Sequence, residues 1–348
     1  MPLLTGEPFP SFRAPGNSNP NYAFDSAAGR YLVLAVLSGA SDAEIEAAAA
    51  LAARHRAKFD DDSRSLFGLL PDRPEWRGRL EDSVPGVRWL YDSGAVRGLA
   101  QVPDGPPHWF VIDPAMRVLA STGPDRAEEL LTGLSHLPPP DQHGGLASHA
   151  PVLILPRVFE PGFCKVLIDH YDTVGGHESG FMREIDGVTR LMSDHRHKRR
   201  SDVVIVDDDL VGAARARVAR RLVPELKKAF QYEATRIERY LVATYDAETG
   251  GYFRPHRDNT TKGTAHRRFA VSINLNSDFD GGELRFPEFG QKTLRPPPGG
   301  AVVFSCSLLH EATAVTRGRR YAFLPFLYDE AAARVREENL KYIAAPAA

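Results

Sequence analysis

The sequence predicts a layered α/β domain followed by an antiparallel β-sandwich or barrel that is buttressed by helices. The 348 residues favour two domains over one. Residues 137–150, LPPPDQHGGLASHA, hold three prolines and two glycines, which can continue neither a helix nor a central strand. We therefore assign residues 1–136 to the first domain, 137–150 to a linker, 151–330 to the second domain and 331–348 to a C-terminal helix and tail.

The first domain alternates strand and helix signals. YLVLAVL (31–37) is a short apolar run, typical of a buried strand. Ser41 and Asp42 then precede an alanine-rich segment, and Ser41 is a plausible N-cap for that helix. HWFVIDP (108–114) and MRVLAST (116–122) are two further strand candidates. This β-α-β order predicts a layered α/β architecture.

These segments resemble the thioredoxin-like fold of the peroxiredoxins. GRYLVLAVLSGAS stands where that family has its first long strand and active-site loop, and PPHWFVIDPAMRVLAS is similar to its closing hairpin, with Pro107 as the cis-proline candidate. A peroxidatic site needs a thiolate, but the chain has only Cys164 and Cys306. We therefore exclude a peroxidase and expect a redox-inactive scaffold or interaction domain.

The second domain begins with helices and continues with many short strands. VLILPRVFEPGFCKVLIDHY predicts a strand and then an amphipathic helix, and DDDLVGAARARVARRLVPELKKAF predicts helix with aspartates that suit its N-terminal dipole. Strand signals separated by turns follow in IERYLVATY, RRFAVSINLN, GGELRF, GGAVVFSC and RYAFLPFLY. This order favours a helix-buttressed antiparallel sandwich or barrel.

The stretch GYFRPHRDN places His256 and Asp258 two residues apart after a strand-like run. In an extended segment both side chains point to the same side. His310 follows 54 residues after His256, in the last strand-rich stretch. Two histidines and a carboxylate in this order match the facial triad of non-haem iron(II) oxygenases, which leaves positions open for oxygen chemistry. We predict that these residues form the metal and catalytic centre.

Arg320 opens a strand, RYAFLPFLY, whose two faces are both largely apolar. This pattern predicts a buried guanidinium group, which is costly unless it meets an anion. The planar fork of arginine suits a carboxylate. Arg317 and Arg319 are assigned to turn or outward positions.

Three stretches resemble the 2-oxoglutarate/Fe(II) dioxygenases of the prolyl 4-hydroxylase type, with the strongest likeness to the hypoxia-factor prolyl hydroxylases. They are ATYDAETGGYFRPHRDN, NLNSDFDGGELRFPE and LLHEATAVTRGRRYAFLPFLYD. With the preceding helices, the resemblance covers most of residues 152–329. It implies a double-stranded β-helix, a jelly roll that holds the metal inside its mouth.

The resemblance also implies roles for single residues. His256, Asp258 and His310 would ligate Fe(II). Arg320 would pair with the distal carboxylate of 2-oxoglutarate, and Tyr245 would donate a hydrogen bond to this co-substrate.

The remaining assignments are weaker matches to the family. Asn274 stands where the hypoxia-factor enzymes carry a second co-substrate tyrosine, and its amide could still donate. Tyr252 and Arg254 are the substrate candidates, although Tyr252 could equally be a packed loop aromatic.

The implied reaction is hydroxylation that consumes 2-oxoglutarate and O2 and gives succinate and CO2, with ascorbate as a further candidate cofactor. The leading substrate is a protein or peptide side chain, with proline as one candidate, because a small metabolite needs no docking domain. The alternatives are the same chemistry on a free amino acid or small metabolite, and a non-catalytic scaffold that acts through the thioredoxin-like domain. The intact triad argues against the scaffold.

Composition limits the partners. The net charge of −2 gives no case for nucleic acid or membrane binding. We find no membrane-length apolar run, and MPLLTGEPFPSF lacks the regions of a signal peptide. Two cysteines suit a reducing cytoplasm. A homodimer remains an open alternative.

Some tempting motifs have plainer interpretations. We expect HRHKRR (195–200) to be a solvated loop, although the longer stretch 180–200 stands where the family has a mobile loop and could face the substrate. His170 is expected to be structural on a helix, His266 to be solvated in a turn, and Cys306 to be a small buried apolar residue.

Overall fold

The computed structural model describes residues 1–344 and contains two compact units. The first unit comprises Met1–Ala150 and Pro287–Gln291, and the second comprises Pro151–Phe286 and the chain from Lys292 onward. The boundary between the two units falls directly after Ala150, the last residue of the predicted linker. The final four residues of the predicted C-terminal tail lie outside the described residues.

The first unit is built on a five-stranded mixed sheet. The five strands of this sheet are β3 (Tyr31–Val36), β4 (Arg64–Pro71), β5 (Val87–Asp92), β6 (His108–Ile112) and β7 (Val118–Thr122), and the unit also contains a separate pair, β1 (Arg13–Ala14) and β2 (Tyr22–Ala23). Its helices are α1 (Asp42–Arg54), α2 (Ala95–Leu99) and α3 (Ala127–Gly133). The sheet order is β5-β4-β3-β6-β7; β3, β4 and β5 are parallel, and β6 and β7 form an antiparallel hairpin.

Local sequence explains the centre of this sheet. All six residues of β3 are buried, as expected for a strand with both faces covered. Ser41 caps α1 as predicted, because its hydroxyl accepts from the Glu44 amide while the Glu44 carboxylate accepts from the Ser41 amide. The prediction of a cis bond before Pro107 was wrong: within residues 1–344 the cis bond precedes Pro85. A trans bond at Pro107 lets the chain enter β6 extended, beside β3.

The second unit contains four helices and eighteen strands among the described residues. The helices are α4 (Pro161–Val174), α5 (Asp208–Arg221), α6 (Val223–Phe230) and α7 (Glu330–Asn339). The first nine strands are β8 (Leu153–Leu155), β9 (His177–Glu178), β10 (Phe181–Ile185), β11 (Val188–Met192), β12 (Lys198–Arg199), β13 (Ser201–Val204), β14 (Arg236–Glu238), β15 (Leu241–Asp246) and β16 (Tyr252–His256). The others are β17 (Phe269–Asn274), β18 (Asp280–Gly281), β19 (Leu284–Arg285), β20 (Thr293–Leu294), β21 (Ala301–Ser305), β22 (His310–Ala312), β23 (Val315–Arg317), β24 (Arg319–Phe323) and β25 (Phe326–Tyr328).

Eight of these strands form the two sheets of a jelly roll. The larger sheet contains the order β15-β24-β17-β21, and the smaller sheet contains β16-β22-β19-β20. The chain passes repeatedly from one sheet to the other, and all these pairings are antiparallel. Tyr245 and Phe253, one from each sheet, pack in one buried cluster. This is the strand order of a double-stranded β-helix, as the resemblance implied.

Helices α4, α5 and α6 buttress the larger sheet. Their apolar stripes place Leu167, Val218 and Leu226 in the same buried cluster as Val242 and Phe323 of the sheet. Burying a side chain of this kind contributes about 1.5–3 kcal/mol. None of the helices in residues 1–344 combines the length and apolarity that crossing a bilayer requires.

The stretch predicted as a loop over the site folds instead as a β-hairpin, β10–β11. Asp186 and Gly187 form its two-residue turn with φ values of 51° and 74°. Turns of this kind need positive φ at both positions, which Asp-Gly supplies. The hairpin is fastened on one side, because the Gly263 amide donates to Thr189 Oγ1 at 3.0 Å and the Ala344 amide donates to the Thr189 carbonyl at 3.0 Å.

Candidate active site

Strand pairing brings the three predicted metal ligands together. His256 ends β16 and lies directly opposite His310, which begins β22, so that their ring centroids are 4.3 Å apart. Asp258 follows β16, and its amide donates to the Cys306 carbonyl at 2.9 Å, which fixes the turn. One potential ligand atom from each residue lies within 4.8 Å of the others. The site therefore lies where β16 ends and β22 begins in the smaller sheet.

Hydrogen bonds to the backbone orient both imidazole rings. His256 Nδ1 is 2.7 Å from the Arg254 carbonyl oxygen, and His310 Nδ1 is 3.0 Å from the Leu308 carbonyl oxygen. Because a carbonyl oxygen only accepts, each Nδ1 carries a proton, which leaves Nε2 as the ring nitrogen that can bind a metal. The two Nε2 atoms lie 3.6 Å and 3.3 Å from the Asp258 carboxylate. This is the arrangement in which outer hydrogen bonds prepare histidines for a metal.

Burial sets the charge of the cluster. Burial, with His310 beside it, lowers the pKa of His256 to about 4, so the ring is neutral as a ligand must be. Burial opposes ionisation of Asp258, but His310 and His256 hold the pKa of that carboxyl well below its usual range. The Phe253 ring stacks on His256 with centroids 3.4 Å apart, and Phe304 packs on His310 at 4.5 Å. Aromatic rings therefore pack against both histidine ligands. Among residues 1–344, these three residues are the group of side chains that could hold a metal ion.

Arg320 is buried as predicted, with 3% of its surface exposed. It lies opposite Tyr245 across the β15–β24 pair, and its guanidinium carbon is 5.5 Å from the tyrosine ring. Its Nε donates to Asn274 Oδ1 at 3.0 Å and its Nη2 to Ser272 Oγ at 2.7 Å. Burial lowers the pKa of Arg320, and Tyr245 opposes this shift. Both side-chain acceptors are neutral, and no carboxylate of residues 1–344 forms an ion pair with this guanidinium.

Asn274 was predicted to donate from its amide to the co-substrate. In the structure it donates its Nδ2 to the Pro296 carbonyl at 2.8 Å and uses its oxygen to accept from Arg320, so it positions the arginine. The outward positions predicted for Arg317 and Arg319 are confirmed, since these exposed arginines pair with Asp280 and Asp246 respectively.

Tyr252 and Arg254 lie beside the triad on β16. The Tyr252 hydroxyl donates to the His195 carbonyl at 2.5 Å. The exposed Arg254 guanidinium lies 4.7 Å from the Tyr252 ring, and the Arg254 amide donates to the His197 carbonyl at 2.9 Å. The two substrate candidates are therefore adjacent, next to strand residues that hold the metal ligands.

The prediction that HRHKRR is a solvated loop was wrong for two of its residues. Lys198 and Arg200 are buried because β12 pairs with β16, with Lys198 opposite Phe253. Lys198 Nζ donates to Ser179 Oγ at 2.7 Å and to the Gly180 carbonyl at 2.6 Å. Burial, together with the nearby Arg200, lowers the pKa of Lys198 to about 6.

Arg200 forms a two-bonded ion pair with Asp202, with distances of 2.7 Å and 2.6 Å, and its guanidinium carbon lies 6.0 Å from the centre of the Tyr245 ring. The Arg-x-Asp spacing before a strand is the sequence signal that could have revealed this pair. Ser272 was also missed. It shares a strand face with Asn274 two residues on, so alternation could have identified it.

Three other histidines differ in their roles. His197 is half-buried between Phe181 and Phe253, and its ring centroid is 6.4 Å from that of His256. The prediction that His266 is solvated was wrong: it is 2% exposed and pairs with the Glu238 carboxylate at 2.7 Å. The Glu238 carboxylate also pairs with Arg267, and these two contacts bury the turn that contains His266. His170 lies on α4 as predicted. Cys306 is fully buried as predicted.

Known proteins resemble the segment that carries this site. Residues 240–328 match the model of the 2OG-Fe(II) oxygenase superfamily. A PKHD-type hydroxylase of Shewanella frigidimarina is 46% identical over 58 residues, which are 16% of this chain and 26% of the relative. The PKHD-type hydroxylase PiuC of Pseudomonas aeruginosa is 35% identical over 82 residues, which are 21% of this chain and 36% of the relative. The chain thus spans about a quarter to a little over a third of the length of these two curated relatives.

Two solved structures are also similar. One is a prolyl hydroxylase from Trichoplax adhaerens in complex with a hypoxia-inducible-factor peptide fragment, at 18% identity and a TM-score of 0.41, covering 54% of this chain and 86% of that one. The other is a viral collagen prolyl hydroxylase from Paramecium Bursaria Chlorella virus-1 in its 2OG complex, at 16% identity and a TM-score of 0.38, covering 51% of this chain and 94% of that one.

Proposed function

We propose that the second unit is a 2-oxoglutarate- and O2-dependent hydroxylase that binds Fe(II) through His256, Asp258 and His310. The observation that carries the proposal is the combination of this triad with Arg320, a buried guanidinium without an ion-pair carboxylate in the described chain. A facial triad alone serves many iron proteins, whereas a buried cation near it supplies the binding partner for a dicarboxylate. The superfamily match over residues 240–328 supports the same assignment.

The residues present fit both groups. Two imidazoles and one carboxylate are the ligands that Fe(II) takes, and their potential donor atoms face each other. Arg320 offers its fork to the distal carboxylate of 2-oxoglutarate, held in place by Asn274 and Ser272.

Bound iron and 2-oxoglutarate would supply the oxidising power, coupling decarboxylation to succinate and CO2 with hydroxylation of a C–H bond. The chain's own residues would orient and shield. Arg320 and Tyr245 would fix one end of the co-substrate, and Asp258 would stay ionised at working pH. Phe253 and Phe304 would keep water from the histidine rings.

The substrate that we favour is a protein or peptide side chain, with proline as one candidate. Hydroxylases named for such substrates are among the similar structures, and an additional folded unit suits a macromolecule better than a metabolite. Hydroxylation of a free amino acid or other small metabolite is the second candidate.

The first unit would act as a redox-inactive docking domain with a thioredoxin-like fold. Its mixed sheet, with parallel strands and a closing hairpin, supports this resemblance, and it contains no cysteine. A cytoplasmic location, use of ascorbate and a homodimer belong to the same proposal.

The test begins with co-substrate binding in the absence of oxygen. Adding 2-oxoglutarate to the Fe(II) protein should produce a metal-to-ligand charge-transfer band. Admitting O2 should then release succinate, slowly without substrate and faster with it. If Fe(II) binds but 2-oxoglutarate gives neither the band nor succinate, the chain belongs to another class of iron protein.

A further inference from the structure

The β10–β11 hairpin has two positively charged side chains at positions that face each other across its strands. Arg183 and Arg190 lie directly opposite each other in its register. Facing like charges on one side of an antiparallel pair are destabilising. Within residues 1–344 neither arginine forms an ion pair; the Arg183 guanidinium rests 5.2 Å from the Phe181 ring. This pair costs stability in the free protein, so it invites an external anion.

The face that holds these arginines adjoins the metal site. In a strand, alternate residues share a face, so Phe181 and Arg183 lie on the same side. Phe181 packs on the His197 ring at 4.6 Å, and the His197 ring is 6.4 Å from that of His256. The opposite face is already used by Glu184 and Thr189, which accept from the amides of the loop that follows Asp258.

A third cation completes the surface. Arg254 lies two residues before His256, is exposed, and forms no ion pair with any carboxylate of the described chain. Two other exposed arginines of this unit, Arg196 and Arg317, pair with Asp194 and Asp280 respectively. Arg254 thus adds an unpaired positive charge close in sequence to His256, besides those of Arg183 and Arg190 on the hairpin.

The two segments that contain these arginines, residues 177–200 and 251–268, also have more basic than acidic residues. Residues 177–200 hold six Lys and Arg against four Asp and Glu, and residues 251–268 hold five against one, which is the triad aspartate itself. The whole chain carries a net charge of −2. Clustering of positive charge around a site in an overall acidic protein attracts anionic ligands to that site.

We propose that Arg183, Arg190 and Arg254 bind an acidic polypeptide segment, which is presented to the metal site between the hairpin and β16. The inference rests on the proposed hydroxylase function and narrows its substrate to acidic proteins or peptides. The occupant is a polypeptide because the basic surface is confined to the rim of one site and the rest of the chain is acidic. A nucleic-acid surface would need a longer basic track along the backbone.

Binding can be measured without turnover. The probe is a fluorescein-labelled 15-residue peptide with a central proline and flanking Asp and Glu, and its control replaces every Asp and Glu by Asn and Gln. Anisotropy is recorded without oxygen on the full chain loaded with Mn(II) and 2-oxoglutarate. The acidic peptide should bind more tightly than the neutral one, and raising NaCl from about 50 to 300 mM should weaken it because the contacts are exposed.

Matched variants assign the effect to the surface. Each of Arg183→Gln, Arg190→Gln and Arg254→Gln should weaken the acidic peptide about twofold to fivefold, and the neutral peptide not at all. Arg220→Gln, an exposed arginine on α5, is the control for net charge. Thermal unfolding confirms that each variant is folded.

Three results would overturn the inference: equal affinity for both peptides, equal losses in Arg220→Gln and the rim variants, or tighter binding of a single-stranded RNA of the same length. Because the assay needs no reaction, failure of the proposed chemistry appears separately, as loss of 2-oxoglutarate binding in the wild-type protein.

Discussion

Each unit places a polar cluster at the end of a strand, and the two clusters differ in whether their groups are satisfied. In the first unit the loop after β3 meets Asp92 at the end of β5. The carboxylate of Asp92 accepts from Ser38 Oγ at 2.8 Å and from the amides of Gly94, Val96 and Arg97 at 3.0–3.1 Å. These bonds occupy both carboxylate oxygens. In the second unit the Asp258 carboxylate faces the Nε2 atoms of His256 and His310 at 3.6 Å and 3.3 Å, both beyond the usual hydrogen-bond distance.

The two buried arginines differ in the kind of partner that each contacts. Arg97 and Arg320 are each 3% exposed. Arg97 donates to backbone carbonyls, including those of Pro103 and Gly105, and a Cβ on Gly39 would lie 2.9 Å from its guanidinium carbon. Arg97 also lies 3.7 Å from the Asp104 carboxylate, so its partners all belong to the loop that follows α2. Arg320 instead has two neutral side-chain acceptors on a strand face and lies against Tyr245, which shares a buried cluster with Phe253, the residue stacked on His256. Burial alone does not mark a functional arginine; the identity of its partners does.

Among the changes that test this comparison, removing a triad ligand should have the largest effect, on iron binding and on turnover. His310→Ala should abolish stoichiometric Fe(II) binding and lower turnover by more than about 100-fold, since losing an outer-shell partner alone costs 10- to 100-fold. Iron content after gel filtration and succinate release measure the two effects. His170→Gln, on α4, should keep both. Full iron occupancy in His310→Ala would show that the histidine is not a ligand.

Removing the charge of Arg320 should come next. Arg320→Ala deletes one partner of a buried charge pair with the co-substrate, at a cost of about 2–5 kcal/mol, or about 30-fold to several thousand-fold in 2-oxoglutarate affinity. Arg320→Lys should lose less, since it keeps the charge and loses the fork. Titration of the anaerobic Fe(II) protein with 2-oxoglutarate measures both.

The controls for Arg320 come from both units. Arg319→Ala removes an exposed pair with Asp246, and Arg97→Met removes the carbonyl contacts of the first unit. Neither should change 2-oxoglutarate affinity, although Arg97→Met should lower stability. If Arg319→Ala weakens 2-oxoglutarate and Arg320→Ala does not, the co-substrate binds on the other face of β24.

The sequence was sufficient for features that depend on strand periodicity. The His-x-Asp spacing places two ligands on one side of an extended segment, and alternation along β24 separates Arg320 from Arg317 and Arg319. The helix-buttressed antiparallel fold follows from the order of helices and strands. These inferences need only neighbours along the chain.

Features that depend on pairing between distant strands were not predictable in this way. HRHKRR is polar and close to a turn, yet β12 joins the smaller sheet and buries Lys198 and Arg200. His266 is drawn inward by Glu238, which lies 28 residues earlier in the chain. A polar residue becomes buried when a partner compensates its desolvation, and the partner is invisible until the topology is known.

Lys198 should impose a pH dependence on the stability of the second unit. Its pKa is lowered from 10.5 to about 6 by burial and by Arg200, so between these values the unfolded chain holds a proton that the folded chain does not. Stability should therefore rise with pH through this window, by up to about 1.4 kcal/mol per pH unit, and the cost of the buried charge is fully present below about pH 6. Lys198→Met should flatten the slope.

Hydrogen exchange of the β13 and β15 amides between about pH 6.5 and 9, corrected for the intrinsic rate, measures this slope in the second unit alone. Lys227→Met on α6, where the lysine is exposed, is the control and should leave the slope unchanged. Equal slopes in the wild type and Lys198→Met would mean that the buried amine stays charged.

Changing Asp92 should have the smallest effect, and it should affect stability without affecting chemistry. Asp92→Ala leaves the Ser38 hydroxyl and three backbone amides without their acceptor, which costs about 1–3 kcal/mol. Asp92→Asn keeps one oxygen and should recover part of the lost stability.

All three tryptophans lie in the first unit, so urea unfolding followed by tryptophan fluorescence reports on this unit selectively. Under native conditions Asp92→Ala should bind 2-oxoglutarate like the wild type, because its network is satisfied internally and faces no ligand. A fall in 2-oxoglutarate affinity without a fall in stability would reverse that assignment and make the loop after β3 part of the functional site.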